Sequence, residues 1–526
     1  MAGDNPGLDL AGDRTLATLL VDAKSWLTDH NQPVASAVSG RRAWGWWPMW
    51  LVTTLCFGAY LGLSLGRWRR QVVPSWDLAI FEQAVKGWAD GGVPVIDIRG
   101  PGVNQLGDHF SPLLALLAPI YRLFPSPVTL LVVQCVLVAI SITPVMALAR
   151  RWLGGVAAVL LGLADGVSWG FQSGVDVQFH EYALAVPLLA FGLWALLSRR
   201  WVTTAVLAGL LLGVKEDLGL TVIVIGVLML TWGRRASPGP AGGTRRQTVA
   251  GVVTAGVGVV ATPLILFVVI PAFNASGTWG YWAGLTADGD SAGATGAGVA
   301  LANLPHLMLT LLTPATKVNT LVLLVALTLG CGLMSRLALL ALPTLLWRFL
   351  SPNPAYWGTG WHYSMILMPI MFMAAIDALR RLSRSPSRPL RTYARLVPVV
   401  ACAFGLATCL VFPLKSVVSP AGYAPAPWAG QAAAVLALIP ASTTVATDTG
   451  LMAQLVAQHT VYWLGPLPGG VAPDYLLIDP RSGWSADPGD PAKLGESYYP
   501  GTSFTTIYDQ STSGDPQGYR LAERDR

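Results

Sequence analysis

Residues 126–148 read SPVTLLVVQCVLVAISITPVMAL, a run without a charged side chain. A helix needs about 20 mostly apolar residues to cross the hydrocarbon core of a bilayer. A single segment can cross there only as a helix, because a helix satisfies its backbone amides within itself. The run therefore predicts a transmembrane helix, and similar runs recur along the chain.

The whole chain has the composition of a membrane protein. Of its 526 residues, 53% are hydrophobic and 12% are charged, and the mean hydropathy is +0.53. Soluble domains carry about 25% charged residues, so this composition excludes an ordinary soluble protein. The net charge of +6 comes with Arg residues in short loops between apolar runs. Such residues orient a membrane protein, so the charge does not indicate a nucleic-acid partner.

About eleven apolar runs predict transmembrane helices. They lie at residues 48–66, 126–148, 152–171, 182–198, 201–215, 217–232, 249–271, 318–334, 336–350, 363–379 and 396–414. The runs 201–215 and 217–232 meet at Lys215, Glu216 and Asp217. One continuous helix would bury all three near mid-membrane, at about 2.5–3.5 kcal/mol for each charge.

The positions of the arginines favour two helices with a turn at residues 215–217. With that turn, one side of the membrane receives most of the arginines: Arg41, Arg42, Arg150, Arg151, Arg199, Arg200, Arg234, Arg235, Arg245, Arg246, Arg336 and those at 380–395. Cytoplasmic loops are enriched in Lys and Arg, so this side is predicted to be cytoplasmic. Arg67, Arg69 and Arg70 fall on the other side and do not fit the pattern.

This sidedness divides the chain into three parts. Residues 1–47 are a cytoplasmic N-terminal segment, and residues 48–414 are an all-α polytopic membrane bundle with a long exoplasmic loop at 67–125. Residues 415–526 are a soluble exoplasmic domain. Its β-rich runs at 443–447, 460–464 and 475–478 alternate with a helical pattern near 430–438, which predicts a small α/β domain. The predicted location is the plasma membrane.

Five polar clusters lie beside the predicted helices, all on the exoplasmic side. They are Trp76-Asp77, Asp108-His109, Asp176 with His180-Glu181, Lys215-Glu216-Asp217, and His362-Tyr363. Ionisable residues in such an apolar chain are costly and usually functional. The gathering of all five on one side therefore predicts a site there.

Three of these clusters also have structural interpretations. Asp77 precedes an apolar run and could cap the helix that follows. His109 could be an interfacial histidine bonded to the backbone. His362 stands among aromatic residues that could anchor the chain at the membrane interface.

The other two clusters could contain local pairs. Asp176 and His180 are spaced i, i+4 and would share one face of a helix, as a structural pair or as a carboxylate that orients an imidazole. Lys215 with Glu216 could be an ion pair that holds a turn. Both interpretations stay open at the level of sequence.

The first loop contains two apolar or amphipathic segments that are too short to cross the membrane as helices. Residues 78–88 are amphipathic, with Leu78, Phe81 and Trp88 on one stripe, and residues 112–124 are apolar. Both are predicted to lie in the membrane interface and to roof a cavity in the bundle. The alternative is that they anchor the loop without forming a site.

The polar clusters also match a known family. The runs WDLAIFEQ at 76–83 and DHFSP at 108–112 resemble prokaryotic membrane proteins catalogued as domain of unknown function 2079. FHE at 179–181, KED at 215–217, WHYS at 361–364 and DYLLID at 474–479 fit the same family. The resemblance covers about residues 76–480.

That family is similar in layout to the C-type glycosyltransferases. These membrane enzymes have a long first exoplasmic loop, and their donors are usually sugars on polyprenyl phosphate. The resemblance implies that Asp77 is the catalytic acidic residue, because an acidic residue near the start of this loop serves catalysis in the superfamily. Many members pair two acids there, whereas Leu78 follows Asp77 here.

The resemblance implies glycosyl transfer from a polyprenyl-phosphate sugar to a glycan, lipid or protein of the cell envelope. Asp77 would be the general base, and Lys215 or His362 would stabilise the leaving phosphate. Asp108, with His180 and Glu181, could hold a divalent cation such as Mg²⁺ or Mn²⁺. The residues expected to contact substrate are His109, His180, Glu181, Lys215, Glu216 and His362.

Two other functions remain open. A transporter or flippase also carries charged residues near helix breaks. Against that reading, the charges here gather on one side of the membrane, and the sequence has no recognisable inverted repeat. A non-catalytic protein of cell-envelope assembly would keep the same fold without activity.

Overall fold

The computed structural model describes residues 45–71, 76–232, 242–277 and 309–525. Nearly all of the predicted N-terminal segment, residues 1–47, lies outside these ranges. Most described residues are helical, and a small sheet lies near the C-terminus. This agrees with the predicted helical bundle followed by an α/β unit.

Most of the described residues before 414 lie in helices. They are α1 (Trp47–Arg70), α2 (Trp76–Ala89), α3 (Gln105–Asp108), α4 (Ala118–Leu123), α5 (Pro127–Leu153), α6 (Gly155–Gly166), α7 (Trp169–Asp176), α8 (Tyr182–Leu197), α9 (Trp201–Leu211), α10 (Leu218–Thr231), α11 (Gly242–Leu264), α12 (Ile270–Phe273), α13 (Ala315–Ala326), α14 (Leu342–Leu350), α15 (Leu367–Leu382) and α16 (Arg388–Thr408). A helix lies at each of the eleven predicted positions, with ends that shift by several residues.

Among the described residues, five helical stretches are long and apolar enough to cross a membrane. They are Trp47–Arg70, Pro127–Leu153, Gly155–Asp176, Arg245–Phe273 and Arg388–Thr408. Other apolar helices, such as α9 and α10, are shorter than the roughly 20 residues that a perpendicular crossing needs. The number of crossings and their sidedness therefore stay predictions.

Local sequence fixes the ends and the packing of α5. Its first turn is capped by Ser126, whose Oγ accepts a hydrogen bond from the Val128 amide at 3.3 Å, and it ends at Gly154 with φ of 102°. Helix α6 approaches α5 closely at Gly162, where an added Cβ would lie 2.2 Å from Met146. A larger side chain at position 162 would therefore have to displace the Met146 side chain.

The chain breaks between α9 and α10, as the arginine pattern predicts. Helix α9 ends at Leu211 and α10 begins at Leu218, so residues 212–217 form a turn outside both helices. The three charged residues at 215–217 stand in this turn and not within one long helix. The turn contacts the first loop, where the Leu113 amide donates to the Gly213 carbonyl at 2.9 Å.

Helix α2 is buried on both faces. Its polar stripe bonds to protein: the Tyr121 hydroxyl donates to Glu82 at 2.8 Å, and Gln83 Nε2 donates to the Val461 carbonyl at 2.9 Å. The polar face of this amphipathic helix therefore meets the C-terminal domain, and its position in the membrane interface stays a prediction.

The segment at 112–124 keeps an exposed apolar face. It consists of a 3₁₀ helix, Pro112–Leu117, followed by α4. Leu116 is 67% exposed and Leu123 is 72% exposed. Large exposed apolar side chains are typical of a membrane contact, so the interfacial position stays the prediction for this segment.

The C-terminal part contains a five-stranded mixed sheet. The strands are β1 (Thr444–Thr447), β2 (Thr460–Trp463), β3 (Tyr475–Ile478), β4 (Phe504–Asp509) and β5 (Arg520–Arg524), and the helices are α17 (Ala429–Leu436), α18 (Met452–Val456) and α19 (Pro491–Tyr498). The strand order is β2-β1-β3-β5-β4, with β1 parallel to β2 and β3. Strand β5 is antiparallel to β3 and β4.

Candidate functional site

Asp77 and His180 meet at the start of α2. The Asp77 Oδ2 atom lies 3.2 Å from His180 Nε2, although the residues are 103 positions apart in the chain. The Asp77 side chain is 43% exposed and that of His180 is 2% exposed. Asp77 therefore offers a carboxylate to solvent or ligand while a buried imidazole holds it.

His180 is held both at its ring and at its backbone. Its ring stacks on the ring of His362, with centroids 3.6 Å apart and planes at 24°. Its backbone amide donates to Gln134 Oε1 at 3.0 Å. Such support holds a catalytic or binding group in one orientation.

Asp176 does not pair with His180, which corrects one of the two predicted local pairs. Helix α7 ends at Asp176, so the i, i+4 spacing does not continue to His180. Asp176 instead accepts a hydrogen bond from Arg67 at 2.9 Å. This pair gives Arg67, an exception to the predicted arginine pattern, an acidic partner.

The turn at 212–217 forms ion pairs with distant residues and not within itself. Lys215 Nζ lies 2.5 Å from Glu181 Oε1, and Glu216 Oε1 lies 2.8 Å from His109 Nδ1. The predicted Lys215–Glu216 pair is therefore wrong. Adjacent residues in a turn point in different directions, so each finds its partner on another segment.

Tyr182, which the sequence analysis did not include in the site, contacts the turn at 212–217. The Tyr182 hydroxyl donates to Asp217 Oδ2 at 2.5 Å, and Lys215 Nζ lies 5.0 Å from the centre of the Tyr182 ring. The Tyr182 ring lies 5.4 Å from that of His362. The structure thus brings together the predicted residues Asp77, His109, His180, Glu181, Lys215, Glu216 and His362.

Arg348 is a further residue that the sequence analysis missed. It is fully buried and donates to the Tyr356 carbonyl at 2.7 Å, the Gly358 carbonyl at 3.0 Å and Ser364 Oγ at 3.2 Å. Among the described residues it has no acidic partner within ion-pair distance. A charge inside the predicted span 336–350 was the signal that could have identified it.

The electrostatics separate the charged groups from the neutral ones. Burial acts to raise the pKa of Asp77, but the attraction and hydrogen bond of His180 outweigh it and lower the pKa overall. Burial, with His180 and Lys215 nearby, lowers the pKa of His362 well below its usual value. Asp77 is therefore a carboxylate at neutral pH, and His362 is a neutral imidazole.

The pair of His109 and Glu216 is held in its charged form. Burial opposes charge on both, yet the attraction between them raises the pKa of His109. The same attraction lowers the pKa of Glu216 to about 2. Glu216 also accepts a hydrogen bond from the Phe110 amide at 3.1 Å, which ties the first loop to the turn.

The predicted metal ligands do not form a metal site. Asp108 lies 3.2 Å from Arg99, while His180 and Glu181 contact Asp77 and Lys215. In the described ranges, no group of three or more His, Cys, Asp and Glu side chains could hold a metal ion. The donor set therefore does not fit the cation that the sequence suggested, and no chemical step is assigned to one.

Comparison with known proteins places the chain in a family and a fold. The family model described as "Predicted membrane protein (DUF2079)" matches residues 72–505. No curated protein matches the chain. The matched range includes every residue of the candidate site.

Three solved structures align with this chain. ArnT from Cupriavidus metallidurans in the apo state aligns with a TM-score of 0.52 and 13% identity, over 90% of this chain and 97% of that chain. ArnT bound to undecaprenyl phosphate covers the same shares with a TM-score of 0.48 and 14% identity. An oligosaccharyltransferase of Archaeoglobus fulgidus, crystallised with Zn and sulfate, aligns with a TM-score of 0.40 and 13% identity, over 87% of this chain and 72% of that chain. The apo ArnT match identifies a C-type glycosyltransferase-like fold.

Proposed function

The chain belongs to the DUF2079 family of predicted membrane proteins, and we propose that it is a glycosyltransferase acting at the exoplasmic face of the membrane. It transfers a sugar from a polyprenyl phosphate to a glycan, lipid or protein of the cell envelope. The observation that carries this proposal is the contact of Asp77 with His180, a half-exposed carboxylate oriented by a buried imidazole.

The proposed donor follows from the shared fold and the apolar bundle. ArnT, whose apo structure has this fold, has also been crystallised with undecaprenyl phosphate. We take the donor of this chain to belong to the same class of lipid. Its prenyl chain would lie against the apolar helices, with the phosphate at the polar cluster.

Asp77 acts as the general base in this proposal. As the acceptor oxygen attacks the anomeric carbon, its proton passes to the Asp77 carboxylate. The bond between the anomeric carbon and the phosphate oxygen breaks, and its electron pair leaves with the polyprenyl phosphate. His180 keeps the carboxylate ionised and oriented before the transfer.

Positive charge near the leaving phosphate comes from Lys215 and Arg348. Lys215 stays protonated because the carboxylates of Glu181 and Glu216 outweigh the effect of its burial and raise its pKa. Arg348 has neutral acceptors as its contacts, so an anionic ligand would supply a missing counter-charge. His362 is neutral and contributes a polar contact and not a charge.

The proposal is tested by profiling lipid-linked sugars in a strain without this protein. A transferase that consumes a polyprenyl-phosphate sugar leaves that donor to accumulate when it is removed. Mass spectrometry of extracted lipids should therefore show one polyprenyl-phosphate sugar that increases and one envelope glycan that loses a residue. An unchanged lipid and glycan profile would contradict the proposal and favour a role without sugar transfer.

A further inference from the structure

Helices α1, α5 and α6 enclose a cleft at one end of the bundle. Helix α1 begins at Trp47, α5 ends at Leu153 and α6 begins at Gly155, so one end of each helix lies there. All three belong to stretches that are long and apolar enough to cross a membrane, so the cleft lies near one surface of the bilayer. It contains about 290 Å³ of empty space, part of it open to the surroundings, and its lining includes Trp46, Met49, Met146, Arg150, Ala158 and Val159.

The interior of the cleft is apolar and suits a lipid chain. Its walls include two methionines, whose unbranched side chains adapt to an irregular ligand. Water is a poor occupant of such a space, because it needs two to four polar partners. Trp46, Trp47 and Trp50 are each more than half exposed, and tryptophan is enriched where a bilayer meets water. The cleft therefore offers a lipid both an apolar space and an interfacial rim.

Arg150 is the one charged side chain among the described residues that line the cleft. Its guanidinium carbon lies 4.5 Å from the centre of the Trp46 ring, and its Nη1 donates to the Gly45 carbonyl at 3.1 Å. These contacts hold the charge at the rim. Arg151 comes next in the chain and is exposed. Guanidinium groups match the geometry of phosphate, so the rim suits a phosphate group.

The N-termini of two helices add to this positive charge. Pro48, in the first turn of α1, and Gly155, the first residue of α6, both line the cleft. Within these described helices, neither first turn contains an acidic residue and no side chain caps either start. A helix N-terminus carries a partial positive charge that attracts anions. Charge complementarity therefore favours a ligand with a negative group at the rim.

Helix α1 separates the cleft from the candidate site. It has 24 residues, a length of about 36 Å at 1.5 Å per residue. The cleft lies at its first turn, whereas Arg67, near its last residue, bonds to Asp176 close to His180 and Asp77. A lipid whose phosphate reacts at Asp77 would therefore not occupy this cleft. Lipid binding here is independent of the proposed transfer reaction.

We propose that the cleft binds an anionic phospholipid of the membrane, with part of one acyl chain between α1, α5 and α6 and the phosphate beside Arg150. Basic pockets between transmembrane helices bind anionic headgroups in this way. A zwitterionic headgroup carries its own cation next to the phosphate, and that cation would meet Arg150 and the helix N-termini. The cleft therefore selects phosphatidylglycerol over phosphatidylcholine.

The test titrates purified full-length protein in detergent with dioleoylphosphatidylglycerol or dioleoylphosphatidylcholine, and native mass spectrometry measures the bound lipid. Phosphatidylglycerol should bind more tightly. Arg150→Gln should weaken its binding about fivefold and leave phosphatidylcholine unchanged. Arg150→Lys keeps the charge and should keep most of the preference. The matched control is Arg395→Gln, an exposed arginine on α16 outside the cleft, which should bind as the unmodified protein does.

A second pair of variants tests the apolar space. Val159→Phe narrows the cleft and should weaken both lipids, whereas Val156→Phe, on the exposed side of α6, should weaken neither. Unfolding temperatures in lipid-free detergent show that each variant keeps its fold.

Three results would overturn the inference. The first is equal affinity of the unmodified protein for the two lipids. The second is an equal loss in Arg150→Gln and Arg150→Lys, or in Arg150→Gln and Arg395→Gln. The third is binding of undecaprenyl phosphate that Arg150→Gln and Val159→Phe weaken more than they weaken binding of phosphatidylglycerol, since the cleft would then be a prenyl-phosphate site.

Discussion

The carboxylate of Asp77 lies 3.2 Å from Nε2 of His180, so the exposed acid of the candidate site is held by a buried imidazole. The two residues come from the first loop and from the segment between α7 and α8. Their contact converts a helix-terminal aspartate into an oriented, ionised group at the surface of the bundle.

Replacing His180 should shift the pH dependence of the reaction. His180 lowers the pKa of Asp77, so in His180→Gln the Asp77 pKa rises and the active carboxylate is protonated at a higher pH. The acid limb of kcat/KM should therefore move to higher pH. His459→Gln, in the C-terminal domain, is the matched control and should keep the original profile. An unchanged acid limb in His180→Gln would show that Asp77 is not the titrating group.

The pair of Lys215 and Glu181 should be strongly coupled in stability. Their side chains are 12% and 1% exposed, so removal of one partner leaves a buried charge without compensation. Lys215→Met should lower the free energy of unfolding by about 3–5 kcal/mol. Thermal unfolding should show that Lys215→Met with Glu181→Leu recovers much of this loss. Additive losses in the double variant would contradict the pairing.

The pair of His109 and Glu216 predicts a window of pH in which it stabilises the fold. The Glu216 pKa falls from 4.5 to about 2, so its contribution is present above pH 4.5 and is lost as pH falls towards 2. The His109 pKa is raised above 6.5, so its contribution is present below pH 6.5 and is lost as pH rises through the folded value. The pair therefore stabilises most between those two limits.

Unfolding temperatures measured across pH would test that window. The difference between the unmodified protein and Glu216→Gln should be largest between pH 4.5 and 6.5 and should shrink on both sides. A difference that does not depend on pH would mean that the contact contributes packing and not charge.

Contact between α2 and the C-terminal domain should support activity. The rings of Trp76 and Trp463 lie 4.6 Å apart, and such pairs contribute about 0.5–1.5 kcal/mol beyond burial. Trp463→Ala should increase hydrogen exchange in α2 and lower turnover, while the helices of the bundle stay protected. The exposed Trp50 offers a control, since Trp50→Ala should change neither quantity. Unchanged exchange in α2 would argue against coupling through this contact.

The sequence predicts the positions of the helices better than it predicts which charged side chains pair. Apolar runs report directly on helix formation, and the arginine pattern correctly separates α9 from α10. Local spacing failed for the charged pairs: Asp176 bonds to Arg67, 109 residues away, and not to His180. Pairing between distant segments depends on packing that periodicity does not contain.

The same limit explains the residues that were missed. Tyr182 sits at the start of an apolar helix, and only the fold places its hydroxyl against Asp217. Helix α2 has an amphipathic pattern, which fits a membrane surface and a domain interface equally well. Its burial against the C-terminal domain, where Gln83 bonds to the Val461 carbonyl, depends on tertiary packing that the sequence pattern does not contain.

The role of Asp77 is the central claim, and a strain that lacks the protein tests it most directly. The strain is supplied with the unmodified protein, Asp77→Asn or Asp90→Asn, and polyprenyl-phosphate sugars are measured by mass spectrometry at equal levels of membrane-inserted protein. Asp90 is an exposed acid just after α2 and is the matched control. We expect Asp77→Asn to accumulate the same lipid-linked sugar as the empty strain, while Asp90→Asn restores its turnover. Full turnover in Asp77→Asn would contradict the account.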